Sequence, residues 1–179
     1  TKEIQLALLD NSVDIAVHSL KDLPTAKVAG LKLAAIPKRG STGDAFVSNT
    51  INSFDELPQH ATIGTTSLRR RSQAIYRRPD LNLVHLRGNV ETRLNKIESE
   101  KLDGIILAEA GLIRLGFESR IKEILDPEWM LPAVGQGALG LECRADDTNT
   151  LQLLSKLDDP ITHAETIAER SLLRNLGGG

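Results

Sequence analysis

Cysteine and aromatic residues are scarce in this sequence of 179 residues. Cys143 is its one cysteine, and aromatic residues make up 3% of the chain. A single cysteine excludes an internal disulfide framework and favours a reducing compartment, which we expect to be the cytoplasm or, in a eukaryote, an organelle stroma. Because aromatic side chains are so few, the core must consist mainly of Leu, Ile, Val and Ala. Cys143 itself lies in an apolar strand, where a buried, unreactive thiol is expected.

Several signatures of other protein classes are absent as well. No apolar run approaches the roughly 20 residues that span a membrane. There is no nucleotide-binding glycine motif, Walker motif or Ser-His-Asp pattern. His85 and His163 have no partners at ligand spacing, which predicts no metal site. The net charge of −2 and the scarcity of aromatic residues argue against a general nucleic-acid binder. We therefore expect neither a membrane nor a nucleic-acid partner.

Arginine is concentrated in the middle of the chain. Residues 63–93 contain seven arginines, no lysine and two acidic residues, which gives this stretch a net charge of +5. Arginine is preferred over lysine where a planar, bidentate contact to carboxylate or phosphate is needed. This stretch is therefore the first candidate for a binding site.

The first basic segment begins with a short β-branched strand at 61–64. A helix is predicted over 68–78, with Ser67 as its N-cap. The N–H groups and the positive dipole of a helix N-terminus suit an anion, and Arg69 and Arg70 add full charges to it. The segment predicts a site for carboxylates or phosphates.

A second segment repeats this pattern. A strand at 81–86 leads through Arg87 and Gly88 into a predicted helix over 90–100, with Arg93 one turn into it. Gly88 would allow close approach of the backbone. For either segment alone, an exposed basic helix face is the simpler interpretation. Two such segments together favour an anion site.

Strands and helices alternate along most of the chain. This alternation predicts an α/β fold with mixed, mostly parallel sheets and helices on both faces. Binding residues in such folds gather at the carboxyl ends of the strands. Besides the two segments above, strands are predicted at 14–19, 31–36, 44–48, 104–108 and 138–143, and helices over 1–9, 109–115, 148–157 and 161–176.

Two loop-like stretches interrupt the alternation. Residues 40–43 and 132–137 are predicted to be interdomain hinge segments. Between them, 44–131 is predicted to form a complete inserted domain, while 1–39 and 138–157 form parts of another domain. Closure of the two domains over a ligand is the expected motion.

An acidic residue follows the first predicted strand. Asp22 precedes a Leu-Pro turn, so its carboxylate is expected to face a cleft at the strand end. There it would stabilise a cationic intermediate and move protons, and Lys21 would offer an anion contact. The alternative is that Asp22 caps the following turn and Lys21 is solvated. The residues alone leave both interpretations open.

Four segments taken together resemble one enzyme family. Residues 14–24, 64–70, 86–93 and 131–137 are similar to motifs of the porphobilinogen deaminases, also called hydroxymethylbilane synthases, and stand in the family's order. The resemblance implies a transferase of tetrapyrrole (haem and chlorophyll) biosynthesis. Its substrate would be porphobilinogen, four molecules of which are condensed into hydroxymethylbilane with release of ammonia. It also implies a dipyrromethane cofactor that is bound to a cysteine through a thioether and primes the reaction.

The resemblance also implies roles for individual residues. Asp22 resembles the catalytic aspartate, which would stabilise cationic pyrrole and azafulvene species. Arginine cannot lose its proton beside the acetate and propionate groups of the pyrroles, which suits it to hold them. Arg71 lies outside the family's arginine pair, and Cys143 does not match the cofactor cysteine. The residues expected to bind cofactor and substrate are Ser19, Lys21, Thr65, Ser67, Arg69, Arg70, Arg87, Gly88, Arg93, Arg114 and Gln136.

The family fold has more parts than this sequence supplies. It resembles two domains of the periplasmic-binding-protein type and a small α+β third domain, which residues 160–179 would begin. The N-terminal portion and most of the third domain are expected to be missing, and the cofactor cysteine would follow Gly179. We therefore expect a monomeric fragment with little or no activity by itself.

An alternative function remains open. A two-domain anion-binding protein of the periplasmic-binding-protein type would also use basic turns to close over sulfate or a carboxylate. The Asp22 segment does not follow from simple anion binding. The substitution Asp22→Asn in the full-length protein should therefore separate the two functions.

Overall fold

Two units make up the chain in the computed structural model, which describes residues 1–178. Unit 1 combines Thr1–Gly40 with Val134–Gly179, and unit 2 is the single stretch Ser41–Ala133. The last helix groups with unit 1. The predicted domain boundaries, including a third domain over 160–179, stay predictions, and Gly179 lies outside the described residues.

Helices and strands alternate in both units. The helices in residues 1–178 are α1 (Lys2–Leu9), α2 (Leu68–Arg77), α3 (Val90–Ser99), α4 (Glu109–Arg114), α5 (Thr148–Leu154) and α6 (Pro160–Asn175). The strands are β1 (Ala16–Ser19), β2 (Leu31–Ala35), β3 (Asp44–Val47), β4 (Thr62–Gly64), β5 (Asn82–Val84), β6 (Gly104–Ala108), β7 (Ile121–Leu125) and β8 (Leu139–Arg144). Short 3₁₀ turns cover Leu20–Asp22, Glu118–Arg120 and Ser155–Leu157.

The sheet of unit 1 has three strands in the order β1-β8-β2, and both pairings are antiparallel. Directly after β1, Leu20 and Leu23 are buried in a small core with Ile36 and Ala138. Burial of these apolar side chains stabilises the 3₁₀ turn that begins at Leu20. The turn is thus fixed at both of its ends by the core of unit 1.

The sheet of unit 2 has five strands in the order β5-β4-β6-β3-β7. β4 is parallel to β5 and β6, whereas β3 is antiparallel to β6 and β7. An apolar core covers each face. Phe46 and Ile106 lie in one core, and their neighbours Ala45 and Ile105 lie in the other, as the alternation of side chains along a strand requires. Both faces are covered, and correspondingly residues 45–47 of β3 and 105–108 of β6 are continuous apolar runs.

The predicted mixed α/β fold is confirmed, but parallel pairing does not predominate. Four of the six strand pairings are antiparallel. Strand–helix alternation predicts a parallel pair only where a helix crosses between neighbouring strands, as α2 does from β4 to β5. β1 and β8 are far apart in sequence, and β3 follows a loop rather than a helix. Their direction is therefore not determined by the alternation.

Strand β7 is absent from the predicted elements. The carboxylate of Glu123 accepts a hydrogen bond from the backbone N–H of Phe54 at 2.6 Å, whereas Ile124 is exposed. This reverses the usual placement of apolar residues inside and polar residues outside, so the strand lacks the pattern by which strands are recognised.

Candidate functional site

The two basic segments meet at one edge of the sheet in unit 2. They follow β4 and β5, which are neighbouring parallel strands. The hydroxyl of Thr66 donates to the backbone oxygen of Leu86 at 2.6 Å and accepts from the backbone N–H of Leu86 at 3.0 Å. The backbone N–H of Thr65 donates to the oxygen of Val84 at 2.9 Å. These bonds join the turn before α2 to the turn before α3.

Helix α2 begins at this edge with a capped N-terminus. The predicted N-cap is confirmed, because the hydroxyl of Ser67 accepts a hydrogen bond from the backbone N–H of Arg70 at 3.4 Å. The side chain of Arg69 is 24% exposed, and it also donates to the backbone oxygen of Leu131. A guanidinium with part of its surface in solvent therefore lies beside the positive end of the helix dipole.

A buried carboxylate links both arginines of α2. Asp44 opens β3 and is 1% exposed. Its Oδ2 lies 2.7 Å from Nη1 of Arg69, and its Oδ1 accepts hydrogen bonds from Nε and Nη2 of Arg70 at 3.0 and 2.6 Å. Nη1 of Arg70 donates to the backbone oxygen of Ile106 at 3.1 Å. Arg70 is therefore directed inward, and Arg69 carries the exposed charge of the pair.

Opposing effects set the pKa values in this cluster. Burial by itself would raise the pKa of Asp44, but attraction to Arg70 and Arg69 and their hydrogen bonds outweigh it and lower that pKa. Burial lowers the pKa of Arg70 despite Asp44, and repulsion from Arg69 and Arg93 adds to the decrease. The guanidinium groups of the two segments thus repel one another. An anion bound between them would reduce this repulsion.

The second basic segment presents its charges on the surface. Arg87 and Gly88 are exposed, and Gly88 has a φ of +119°. A Cβ atom on Gly88 would lie 2.7 Å from Cγ2 of Thr92, so this backbone conformation depends on glycine. Nε of Arg93 donates to the backbone oxygen of Gly88 at 2.8 Å. Arg93 thereby holds the turn that carries Arg87.

Arg114 lies apart from these two segments in sequence. It is the last residue of α4, which follows β6, the other parallel neighbour of β4, and it is exposed. Of the predicted binding residues, Thr65, Ser67, Arg69, Arg70, Arg87, Gly88, Arg93 and Arg114 belong to unit 2.

The predicted catalytic residue belongs to unit 1. Asp22 ends the 3₁₀ turn after β1 and is exposed, Lys21 is half-buried, and Ser19 is exposed. Within residues 1–178 the carboxylate of Asp22 accepts no hydrogen bond, so it does not cap the following turn. An exposed carboxylate on a fixed turn is the arrangement that the catalytic interpretation requires.

Gln136 differs from the other predicted residues because it is fully buried, at 0% exposure. Its backbone oxygen accepts a hydrogen bond from Nε of Arg39 at 2.9 Å. The preceding Gly135 has a φ of +69°, and a Cβ there would lie 3.3 Å from the backbone nitrogen of Lys21. The binding role of Gln136 stays a prediction.

Two buried charged residues near these sites were not expected from the sequence. Asp44 is a single acidic residue at the start of an apolar strand, and nothing in its neighbourhood indicates partners 25 residues away. Arg170 is buried on α6. A signal for Arg170 exists, because Thr162, Thr166 and Arg170 are spaced four residues apart and form a polar stripe along one face of the helix.

Other possible sites give no candidate in the described residues. Residues 1–178 contain no group of three or more His, Cys, Asp or Glu side chains that could hold a metal ion. Across the same residues, no helix combines the length and apolar character needed to cross a membrane. Cys143 is buried, and burial is the main cause of its raised thiol pKa.

The sequence matches a family described as porphobilinogen deaminase, dipyromethane cofactor binding domain, over residues 1–152. It is 54% identical over 178 residues to a porphobilinogen deaminase of Syntrophotalea carbinolica, covering 99% of this chain and 56% of that protein. It is 53% identical to a porphobilinogen deaminase of Desulforamulus reducens, covering all of this chain and 58% of that protein. The chain thus spans a little over half the length of these curated relatives.

Solved structures with a similar fold include a periplasmic substrate-binding protein and a nutrient binding protein. A periplasmic substrate-binding protein of an ABC transporter from Coxiella burnetii has a TM-score of 0.57 at 16% identity, covering 92% of this chain and 79% of its own. A nutrient binding protein from Burkholderia cenocepacia, bound to methionine, has a TM-score of 0.56 at 14% identity, covering 88% of this chain and 76% of its own. At such low identity, the likeness supports the fold class alone.

Proposed function

This chain belongs to the porphobilinogen deaminase family, and from that premise we propose that the protein containing it condenses four porphobilinogen molecules into hydroxymethylbilane. The observation that carries the proposal is the pair of basic turns joined by Thr66 and Leu86. Each pyrrole unit brings an acetate and a propionate, so the growing product needs several cationic contacts. The joined turns follow the neighbouring parallel strands β4 and β5, and Arg69, Arg87 and Arg93, in and just after these turns, would supply such contacts.

The residues present fit a dipyrromethane cofactor. The group carries several carboxylates, and the edge of unit 2 combines a helix N-terminus with half-exposed or exposed guanidinium groups. When bound, dipyrromethane supplies the primer to which pyrrole units are added. Arg69, Arg87 and Arg93 would contact its carboxylates, while buried Arg70 would support Arg69 through their shared partner, Asp44. Further proposed binding residues are Ser19, Lys21, Thr65, Ser67, Gly88, Arg114 and Gln136.

Asp22 is proposed as the catalytic residue. Release of ammonia from porphobilinogen leaves positive charge on the substrate, and an adjacent carboxylate stabilises that charge. The same carboxylate can hold and return a proton during bond formation. Its exposure and the lack of a hydrogen bond to it within residues 1–178 support this role.

The catalytic role is tested in the full-length protein that contains this chain. Asp22→Asn should lower the rate of bilane formation roughly 10²- to 10⁴-fold, the usual contribution of a positioned acid–base group. Binding of cofactor and substrate should persist, which intact mass and substrate titration would measure. Asp146→Asn, at an exposed position elsewhere in unit 1, is the matched control. Unchanged turnover in Asp22→Asn would contradict the assignment.

The same experiment addresses the alternative of a simple anion-binding protein. In that case the purified full-length protein would carry no added dipyrromethane mass, and Asp22→Asn would change neither ligand binding nor any turnover.

We further propose a monomer that acts in the cytoplasm without nucleic acid or membrane. The single, buried cysteine and the net charge of −2 support this setting.

A further inference from the structure

Arg170 is a buried charge for which the proposed chemistry gives no role. It lies on α6 with 8% of its surface exposed. Burying a guanidinium is unfavourable unless its donors find partners, and an apolar residue would fill the same space at less cost. A guanidinium buried inside unit 1 must therefore have its N–H donors satisfied by specific hydrogen bonds.

Those hydrogen bonds all go to one short segment. Nη1 donates to the backbone oxygen of Leu23 at 2.7 Å and, more weakly, to that of Leu20 at 3.4 Å. Nη2 donates to the backbone oxygen of Pro24 at 2.6 Å. The planar guanidinium thus contacts three carbonyl groups, and these lie on both sides of Lys21 and Asp22 in the sequence.

No carboxylate of residues 1–178 lies in direct contact with this side chain, although Glu142 attracts it from further away. Within residues 1–178, Arg170 forms no ion pair, in contrast to Arg39 and Arg144 of the same unit. Burial is the main cause of the lowered pKa of Arg170, followed by repulsion from Arg174. Its charge is balanced at close range by carbonyl dipoles, so the strength of its contacts depends on the geometry of the turn itself.

Two backbone hydrogen bonds also restrain the turn. The N–H of Leu23 donates to the oxygen of Leu20 at 3.2 Å within it, and the N–H of Leu20 donates to the oxygen of Ala138 at 3.0 Å. The apolar contacts of Leu20 and Leu23 hold the turn against the core, but apolar contacts are not directional. Arg170 also lines a cleft of about 110 Å³ together with Lys21, Asp22 and Pro24. Arg170 therefore holds the backbone that carries Asp22 by hydrogen bonds, and its side chain forms part of the wall of the cleft beside Asp22.

We propose that Arg170 is a positioning residue, which fixes the Leu20–Pro24 turn so that the Asp22 carboxylate is held in its reactive place. This inference rests on the proposed function, because it assumes that Asp22 acts on the substrate. Arg170 itself touches the turn and not the reacting atoms. Its loss should therefore affect the chemical step more than substrate binding.

The test compares Arg170→Met and Arg170→Lys in the full-length protein. Misplacement of a catalytic group can lower rates by about 100-fold, so kcat should fall roughly 10- to 100-fold in Arg170→Met, while KM for porphobilinogen changes by a much smaller factor. Lysine can donate to one carbonyl but cannot span two with a planar fork, so Arg170→Lys should have an intermediate kcat. Arg174→Met, at an exposed position one turn further along α6, is the control and should match the parent.

Hydrogen exchange provides a readout that does not depend on activity. The amides of residues 20–23 should exchange faster in Arg170→Met, while those of β8 keep their protection. Faster exchange throughout unit 1 with a proportional loss of folded protein would show a general structural role and overturn the proposal. Unchanged kcat would overturn it too, provided that Asp22→Asn is impaired. If Asp22→Asn is not impaired, the catalytic assignment fails, and exchange at residues 20–23 still decides whether Arg170 fixes the turn.

Discussion

Asp44 and Arg70 form a buried ion pair through two hydrogen bonds, from Nε at 3.0 Å and from Nη2 at 2.6 Å. The second carboxylate oxygen of Asp44 lies 2.7 Å from Arg69, whose side chain is partly in solvent. One carboxylate therefore serves two guanidinium groups, and a net positive charge remains at the start of α2. Arg70 is held in the core by this pair, whereas Arg69 shares the same carboxylate and keeps part of its side chain in solvent.

Removal of the shared carboxylate should strongly destabilise unit 2. In Asp44→Asn, Arg70 would stay buried without its charge partner, which typically costs about 3–5 kcal/mol. The free energy of unfolding, measured by urea titration, should fall accordingly. Asp55→Asn breaks the exposed pair with Arg77 and should cost only about 0–1 kcal/mol. Equal effects of the two substitutions would contradict the structural importance of the buried pair.

The same pair should make stability depend on pH in the acid range. The pKa of Asp44 is lower in the folded protein than its ordinary value of 3.8, so the unfolded chain takes up its proton first as the pH falls. The stabilisation is complete above the unfolded pKa and is lost as the pH drops from about 4 through the folded pKa. Urea midpoints measured from pH 7 to pH 3 should therefore fall less steeply in Asp44→Asn than in the parent. Parallel curves would show that Asp44 makes no contribution to acid sensitivity.

The link between the two basic turns can be tested at Thr66. Thr66→Val removes the hydroxyl that bonds both polar backbone groups of Leu86, and leaving a polar group unsatisfied costs about 1–3 kcal/mol. We expect a lower free energy of unfolding and, in the full-length protein, a higher KM for porphobilinogen, because the arginines of the two turns lose their alignment. Thr62→Val, in the strand before the turn, is a matched control, since within residues 1–178 the hydroxyl of Thr62 bonds only the exposed side chain of Asn82, and the substitution leaves the backbone bonds of Thr62 to Asp103 in place. A normal KM in Thr66→Val would argue against a shared site.

Gly88 offers a test of backbone conformation at the second turn. Gly88→Ala would place a methyl group 2.7 Å from Thr92 at a φ of +119°, and such strain costs about 1–3 kcal/mol. Gly116→Ala is the control, because Gly116 also has a positive φ, +72°, but no atom lies within 4 Å of its added Cβ. Thermal unfolding should show a larger loss for Gly88→Ala. A loss confined to Gly116→Ala would mean that the Gly88 turn adjusts freely.

The helices, most strands and the Ser67 cap could be predicted because their signals are local. Cap residues, strand-to-helix transitions and apolar periodicity all lie within a few neighbouring residues. Strand direction and the pairing of Asp44 with Arg69 and Arg70 depend on contacts between distant parts of the chain. β7 escaped prediction because Glu123 bonds a backbone N–H in place of an inward apolar residue.

In the candidate site, too, the features with local sequence signals can be predicted, and those that depend on distant contacts cannot. Asp22 and the two basic turns are predicted from their motifs, yet the sequence does not distinguish an exposed arginine from a buried one. Arg69 and Arg70 are adjacent and chemically identical, and the turn of the helix alone directs one to solvent and the other to the core. Arg170 was missed because its partners are backbone carbonyls, which every residue possesses.

The polar stripe on α6 has a consequence for how that helix is held. Thr162 accepts a hydrogen bond from the backbone N–H of Arg39 at 3.1 Å, and Arg170, two turns later, donates to Leu23 and Pro24. An apolar stripe would tolerate small sliding or rotation of the helix, because such contacts are interchangeable. Hydrogen bonds at two points along the helix axis do not tolerate such sliding or rotation. The axial position and the rotation of α6 are thus set by directional bonds, and an apolar replacement of this face could preserve the packing while losing the alignment.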